Sequence, residues 1–163
     1  MKQKTAHMGM FLAAALICSY IESLIPINFG IPGIKLGLTN IVVLLMLYLT
    51  GTKEAFTISM LRILLAGFLF GNAFSIVYSL SGGMLSFAVM YLLKRLNKLG
   101  VVTVSVAGGI CHNIGQILFA AILVNNINIM YYVPVLIVSG SVTGFLIGIL
   151  SQEMIFRIGK IKQ

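Results

Sequence analysis

Aspartate is absent from this chain of 163 residues, and its whole acidic complement is Glu22, Glu54 and Glu153. Without aspartate there is no Ser/His/Asp triad, and no G-x-S-x-G turn presents a nucleophilic serine. No G-x-x-x-x-G-K-[ST] run occurs, so ATP is not cradled by a P-loop. His7 and His112 are too few and too far apart to argue a metal site. Cys18 and Cys111 both fall inside apolar stretches and read as small buried filler, not as a disulfide or a metal pair. Charge as a whole is scarce, 9% of residues where a soluble domain carries roughly a quarter. Most enzyme classes are thereby removed, and no cofactor is expected.

What is present is apolar: 60% of the residues are hydrophobic and the mean hydropathy is +1.09. A helix needs about 20 mainly apolar residues to cross a hydrocarbon core about 30 Å thick. Stretches near 6–25, 36–50, 53–71, 74–93, 101–124 and 131–156 meet or approach that length. The expected fold is therefore all-α, a polytopic membrane protein with six transmembrane helices in one domain spanning 1–163. The second stretch is short and starts earlier or tilts little. The first reads as a retained span, because the chain around Pro26 lacks the small-residue pattern of a cleavable signal. No soluble domain is expected at either end.

The positive charges alternate between the connections. Lys2, Lys4, Lys53, Lys94, Arg95, Lys98, Arg157, Lys160 and Lys162 fall on one side of a six-span arrangement, and Lys35 falls on the other. Basic residues near span ends mark the cytoplasmic face, so the expectation is a multi-pass protein of the cell (plasma) membrane with both termini cytoplasmic. The net charge of +8 is spread over helix ends and not gathered on one soluble face, so it does not argue for nucleic acid. On the opposite side, PINFGIPGIKLG (residues 26–37) is rich in turn residues. With Pro26, Gly30, Pro32, Gly33 and Lys35, it is either a plain linker or a lid over an outward-facing pocket.

Polar residues inside the spans carry the functional signal. Arg62 lies midway along the third stretch, where an arginine costs roughly 2.5–3.5 kcal/mol and must face the bundle interior or water. It either pairs with Glu22 near the outer end of the first span or docks an anionic group. His112 and Gln116 stack at i, i+4, and Asn113 leans the same way. That turn is either a set of interhelical bonds or one polar wall of a pocket. Asn40, Tyr78, Ser81 and Tyr132 lie at compatible depths to complete such a pocket, although a tyrosine at a span end also serves as an interfacial anchor. Gly140, Gly144 and Gly148 form a small-residue stripe on the sixth span, and Gly67 and Gly71 another on the third. Gly9 with Ala13, and Ala15 with Ser19, give two candidate stripes on the first span. Such stripes allow close backbone approach, within the chain or to a partner helix.

GIKLGLTNIVVLLMLYL from Gly33, KEAFTISMLRILLAGFLFGNAFSIVYSLSGG from Lys53 and AGGICHNIGQ from Ala107 resemble one bacterial family across almost the whole chain. It is the heptaprenyl diphosphate synthase component I family, also called the Gx transporter family. The size, six spans, internal termini and small residues of the first span also look like the substrate-binding S components of energy-coupling factor transporters. The synthase name implies a part of a polyprenyl-elongating enzyme, but those enzymes rely on aspartate-rich magnesium motifs, so this chain would serve only as a non-catalytic accessory. The S-component likeness implies a binder of a vitamin-like or anionic solute that works with a transmembrane coupling protein and ATPase subunits. Arg62, Asn113, Gln116 and His112 would then hold the solute, residues 26–37 would close over it, and the first span would dock the coupling protein. A small structural or assembly protein with no ligand is the third expectation.

Overall fold

The computed structural model describes residues 2–25 and 37–161. Among them there is no strand, and the order is α1 (Lys2–Leu24), α2 (Leu38–Leu49), α3 (Thr52–Phe70), α4 (Ala73–Arg95), α5 (Val101–Val124), a short 3-10 helix (Ile127–Tyr132) and α6 (Val133–Ile161). The expected lid residues Pro26, Gly30, Pro32, Gly33 and Lys35 lie outside the described residues. Boundaries follow local chemistry. Asn72 caps α4 by accepting from the Ser75 amide at 2.8 Å, the usual role of a short polar side chain at a helix start. Asn125, at φ 50°, ends α5 in the left-handed conformation that asparagine tolerates. Pro134 sits in the first turn of α6, where no backbone donor is lost.

Helix contacts run α1–α3–α4–α5–α6–α2 and back to α1, with α2 also touching α3. The bundle is thus a closed ring of six helices. Its outer surface is apolar: Phe68 and Ile122 are 77% and 78% exposed. A soluble monomer rarely displays such surface over so many positions. Four segments are long and apolar enough to cross a bilayer, Thr5–Leu24, Ala73–Arg95, Val101–Val124 and Ile127–Ile158. They make this a membrane-embedded, all-helical protein.

Six spans were expected, and the other two helices depart from that pattern for separate reasons. The third carries Lys53, Glu54 and Arg62 along its length. The second has only 12 residues, about 18 Å of rise, against a hydrocarbon core of about 30 Å. Its start lies well inside the bundle, because a Cβ placed on Gly37 would sit 3.1 Å from the Ile147 side chain at the middle of α6. It is a half-length helix whose amino end stops inside the protein.

The two halves of the ring differ accordingly. One half is a dense apolar plug of Val43, Leu44, Met46, Leu47, Ala55, Ile58, Phe87, Met90 and Val104, flanked by Met8, Phe11 and Leu12. Lys94 closes it by donating to the Leu47 carbonyl at the end of α2, with its ammonium 5.1 Å from the Tyr48 ring centre. Lys53 and Arg95, at the start of α3 and the end of α4, belong to this same end of the ring. In the other half the described residues enclose open space.

Small residues draw α5 and α6 together. A Cβ on Gly109 would come within 2.5 Å of the Gly140 carbonyl oxygen, and one on Gly140 within 2.8 Å of the Gly109 carbonyl. The stripe through Gly140, Gly144 and Gly148 therefore packs within the chain. Of the two stripes on α1, Ala15 is fully buried and Ser19 bonds Thr39. Gly9 has nothing near the position of a Cβ, and it faces outward with Ala13. Substituting Gly109→Ala should cost about 1–3 kcal/mol of stability through this overpacking, read as a lowered thermal midpoint in detergent. Gly9→Ala, with open space around it and alanine the better helix former, should not lower the midpoint.

Candidate functional site

A cavity of about 360 Å³ opens beside the amino end of α2, and every helix of the ring contributes to its wall. Ser19, Glu22 and Ser23 come from α1, Thr39 and Asn40 from α2, and Arg62, Ile63, Ala66, Gly67 and Phe70 from α3. Ser75 and Ser79 of α4, Gly109, His112 and Asn113 of α5 and Thr143 of α6 complete it. A void of about 10 Å³ beneath shares Asn40, Gly109 and Thr143 with the main cavity. That is about one water-sized sphere, and Leu44 and Met90 of the plug form part of its wall.

The amino end of α2 dictates the electrostatics. Its cap position is Gly37, which has no side chain to offer the exposed amides. An unsatisfied helix terminus inside a membrane protein is costly. Glu22 meets this need from α1: Oε1 accepts from the Leu38 amide at 3.1 Å and Oε2 accepts from the Thr39 hydroxyl at 2.7 Å. Ser19 Oγ is 3.3 Å from the same hydroxyl. The carboxylate is held where the positive end of the helix dipole favours it.

Arg62 is left without that carboxylate. Among the described residues it makes no hydrogen bond or ion pair, and its Nε is buried with no partner. Its guanidinium borders the cavity. The two roles weighed for Arg62 are thus separated geometrically: the expected partner Glu22 is engaged at α2, while the cation faces open space. Glu22 still acts on Arg62 electrostatically across this end of the cavity.

The other expected site residues divide. Asn40, His112 and Asn113 line the cavity with Arg62. Asn113 also ties α5 to α6, donating through Nδ2 to the Leu136 carbonyl at 2.8 Å and to Ser139 Oγ at 3.3 Å. Gln116 does not reach the cavity. It is 1% exposed and lies against α4, where Gly82 makes room for its Cγ; neither amide atom has a hydrogen-bond partner among the described residues. Tyr78 is buried, its ring stacked on Phe74 at 5.6 Å, and Ser81 donates back to the Tyr78 carbonyl. Tyr132 ends the 3-10 helix and is 40% exposed, the setting of an interfacial anchor. The hydroxyls of Ser19, Thr39, Ser75, Ser79 and Thr143 were not anticipated. Serine and threonine in apolar helices usually satisfy themselves on a preceding carbonyl, as Thr143 does on Ser139 at 2.9 Å, so they send no sequence signal.

The described residues thus form a membrane-embedded helical ring around a cavity bordered by Arg62, Glu22, His112 and Asn113. The chain belongs to the heptaprenyl diphosphate synthase component I family, whose model matches residues 11–154. That family name denotes one component of a synthase, not the whole enzyme. No curated protein and no solved structure matches the chain.

Removing the unpaired charge should relieve the empty protein. Arg62→Leu is expected to raise the thermal midpoint of the purified, solute-free protein by the equivalent of about 1–3 kcal/mol, the cost of a buried unsatisfied donor. A lowered midpoint would mean that Arg62 is a structural partner after all. Thr39→Val should lower the midpoint, by about 1 kcal/mol for one hydrogen bond.

Proposed function

We propose that this protein captures a small solute bearing an anionic group and works as the binding subunit of a larger membrane assembly. The observation that carries the proposal is the Arg62 guanidinium, without a partner among the described residues, at the wall of a cavity shared by all six helices. An arginine in such a place stays costly until a ligand supplies carboxylate or phosphate oxygens in its plane. His112, Asn40 and Asn113 would orient the bound molecule. At about 360 Å³, the cavity lies at the small end of the range for ligand pockets and suits a compact solute better than a long polyprenyl chain.

In this reading the chain crosses a cell membrane six times, with α2 as a half-length helix in the second crossing and both termini cytoplasmic. Its cavity opens outward, and residues 26–37 close over the solute. A transmembrane coupling protein with ATPase subunits would drive release, docking on the outward-facing Gly9–Ala13 side of α1. The family name favours a second reading, in which the chain is a non-catalytic membrane accessory of a prenyl diphosphate synthase. That accessory would co-purify with a soluble synthase component and not with ATPases.

Native mass spectrometry of the gently solubilised protein tests the proposal. Wild-type protein should retain a small molecule that Arg62→Leu loses. An empty wild-type protein, or equal retention by the variant, would overturn it.

A further inference from the structure

Among the described residues, the cavity wall carries one cation without a partner, Arg62, and one carboxylate, Glu22. An anionic group seated on Arg62 therefore also lies within reach of a negative charge. Among the described residues each Glu22 oxygen accepts a single hydrogen bond, one from Leu38 and one from Thr39, whereas a carboxylate oxygen has room for two. The amino end of α2 offsets only part of the charge, since a helix terminus is equivalent to roughly half an elementary charge. Glu22 thus keeps both acceptor capacity and net negative charge facing the space that the solute enters.

Resting on the capture reading above, we propose that the solute is a zwitterion, with its carboxylate or phosphate on Arg62 and an ammonium or similar cationic donor on Glu22. A simple anion of the same shape meets Arg62 equally well but leaves Glu22 opposed. A simple cation leaves Arg62 unpaired. The zwitterion satisfies both and brings no net charge into the bundle, where uncompensated charge is expensive. The remaining polar wall, Asn40 and the hydroxyls, bonds neutral parts of the molecule.

Three probes of one shape test this on the full-length protein in detergent: phenylalanine, phenylpropanoate and phenylethylamine, each titrated with the thermal midpoint as readout. Phenylalanine should bind best, by about tenfold or more over either single-charge analogue, the usual weight of a charge-assisted bond. Glu22→Gln keeps an acceptor for the Leu38 amide, so the fold is retained, and it should reverse the order in favour of phenylpropanoate. If phenylpropanoate equals or beats phenylalanine on wild type, the zwitterion assignment fails while solute capture stands. If all three are silent, the molecule retained in native mass spectrometry decides. A retained molecule with both acidic and basic groups upholds the assignment, and one lacking a basic nitrogen overturns it. An empty wild-type protein overturns both readings.

Discussion

The bond between Glu22 and the start of α2 is the interaction on which the rest of this structure depends. A helix of 12 residues cannot reach across the bilayer, so its amino end is stranded inside the bundle. Gly37 turns the chain there with φ 69°, a conformation that suits glycine, but it offers no capping side chain. Glu22 supplies the missing acceptors from α1. That clamp fixes the depth at which α2 begins. It thereby fixes the floor of the cavity and commits the one carboxylate that Arg62 would otherwise have paired with.

Stability and function are consequently divided between the two halves of the ring. The half holding the apolar plug packs densely around Leu44, Met46 and Leu47, all nearly inaccessible. Dense packing of this kind is rigid, so it gives the cavity a fixed base. The half around the amino end of α2 has hydroxyl, amide, imidazole and guanidinium groups facing one space. Polar side chains of such density are costly in a membrane interior unless they meet each other, water or a ligand. Those of Asn113 and Thr39 also hold helices together, while Arg62 Nε has no partner among the described residues.

Some of this was legible in the residues and some was not. Arg62 stood out because a single charge in an apolar helix has few acceptable surroundings, and the cavity is one of them. His112 and Asn40, singled out by depth and residue type, line the cavity. The i, i+4 rule put Gln116 on the face of His112, yet one turn farther along α5 the close approach of α4 at Gly82 covers it. Helical spacing gives the direction of a side chain but says nothing of where a neighbouring helix lies. Tyr78 and Ser81 missed the cavity for the same reason: the depth of a residue was readable, but its azimuth around the ring was not.

By itself the sequence determined the solvent and the elements. Long apolar runs with basic gaps have one low-energy arrangement, helices in a bilayer, because hydrocarbon cannot satisfy an open backbone. Composition likewise removed catalysis by aspartate-dependent machinery. Tertiary structure alone decided which polar groups meet. Whether Glu22 would bond Arg62 or α2 depended on how far α2 extends and how closely α1 approaches it. That distance is set by packing around the ring, and no local pattern in the chain encodes it.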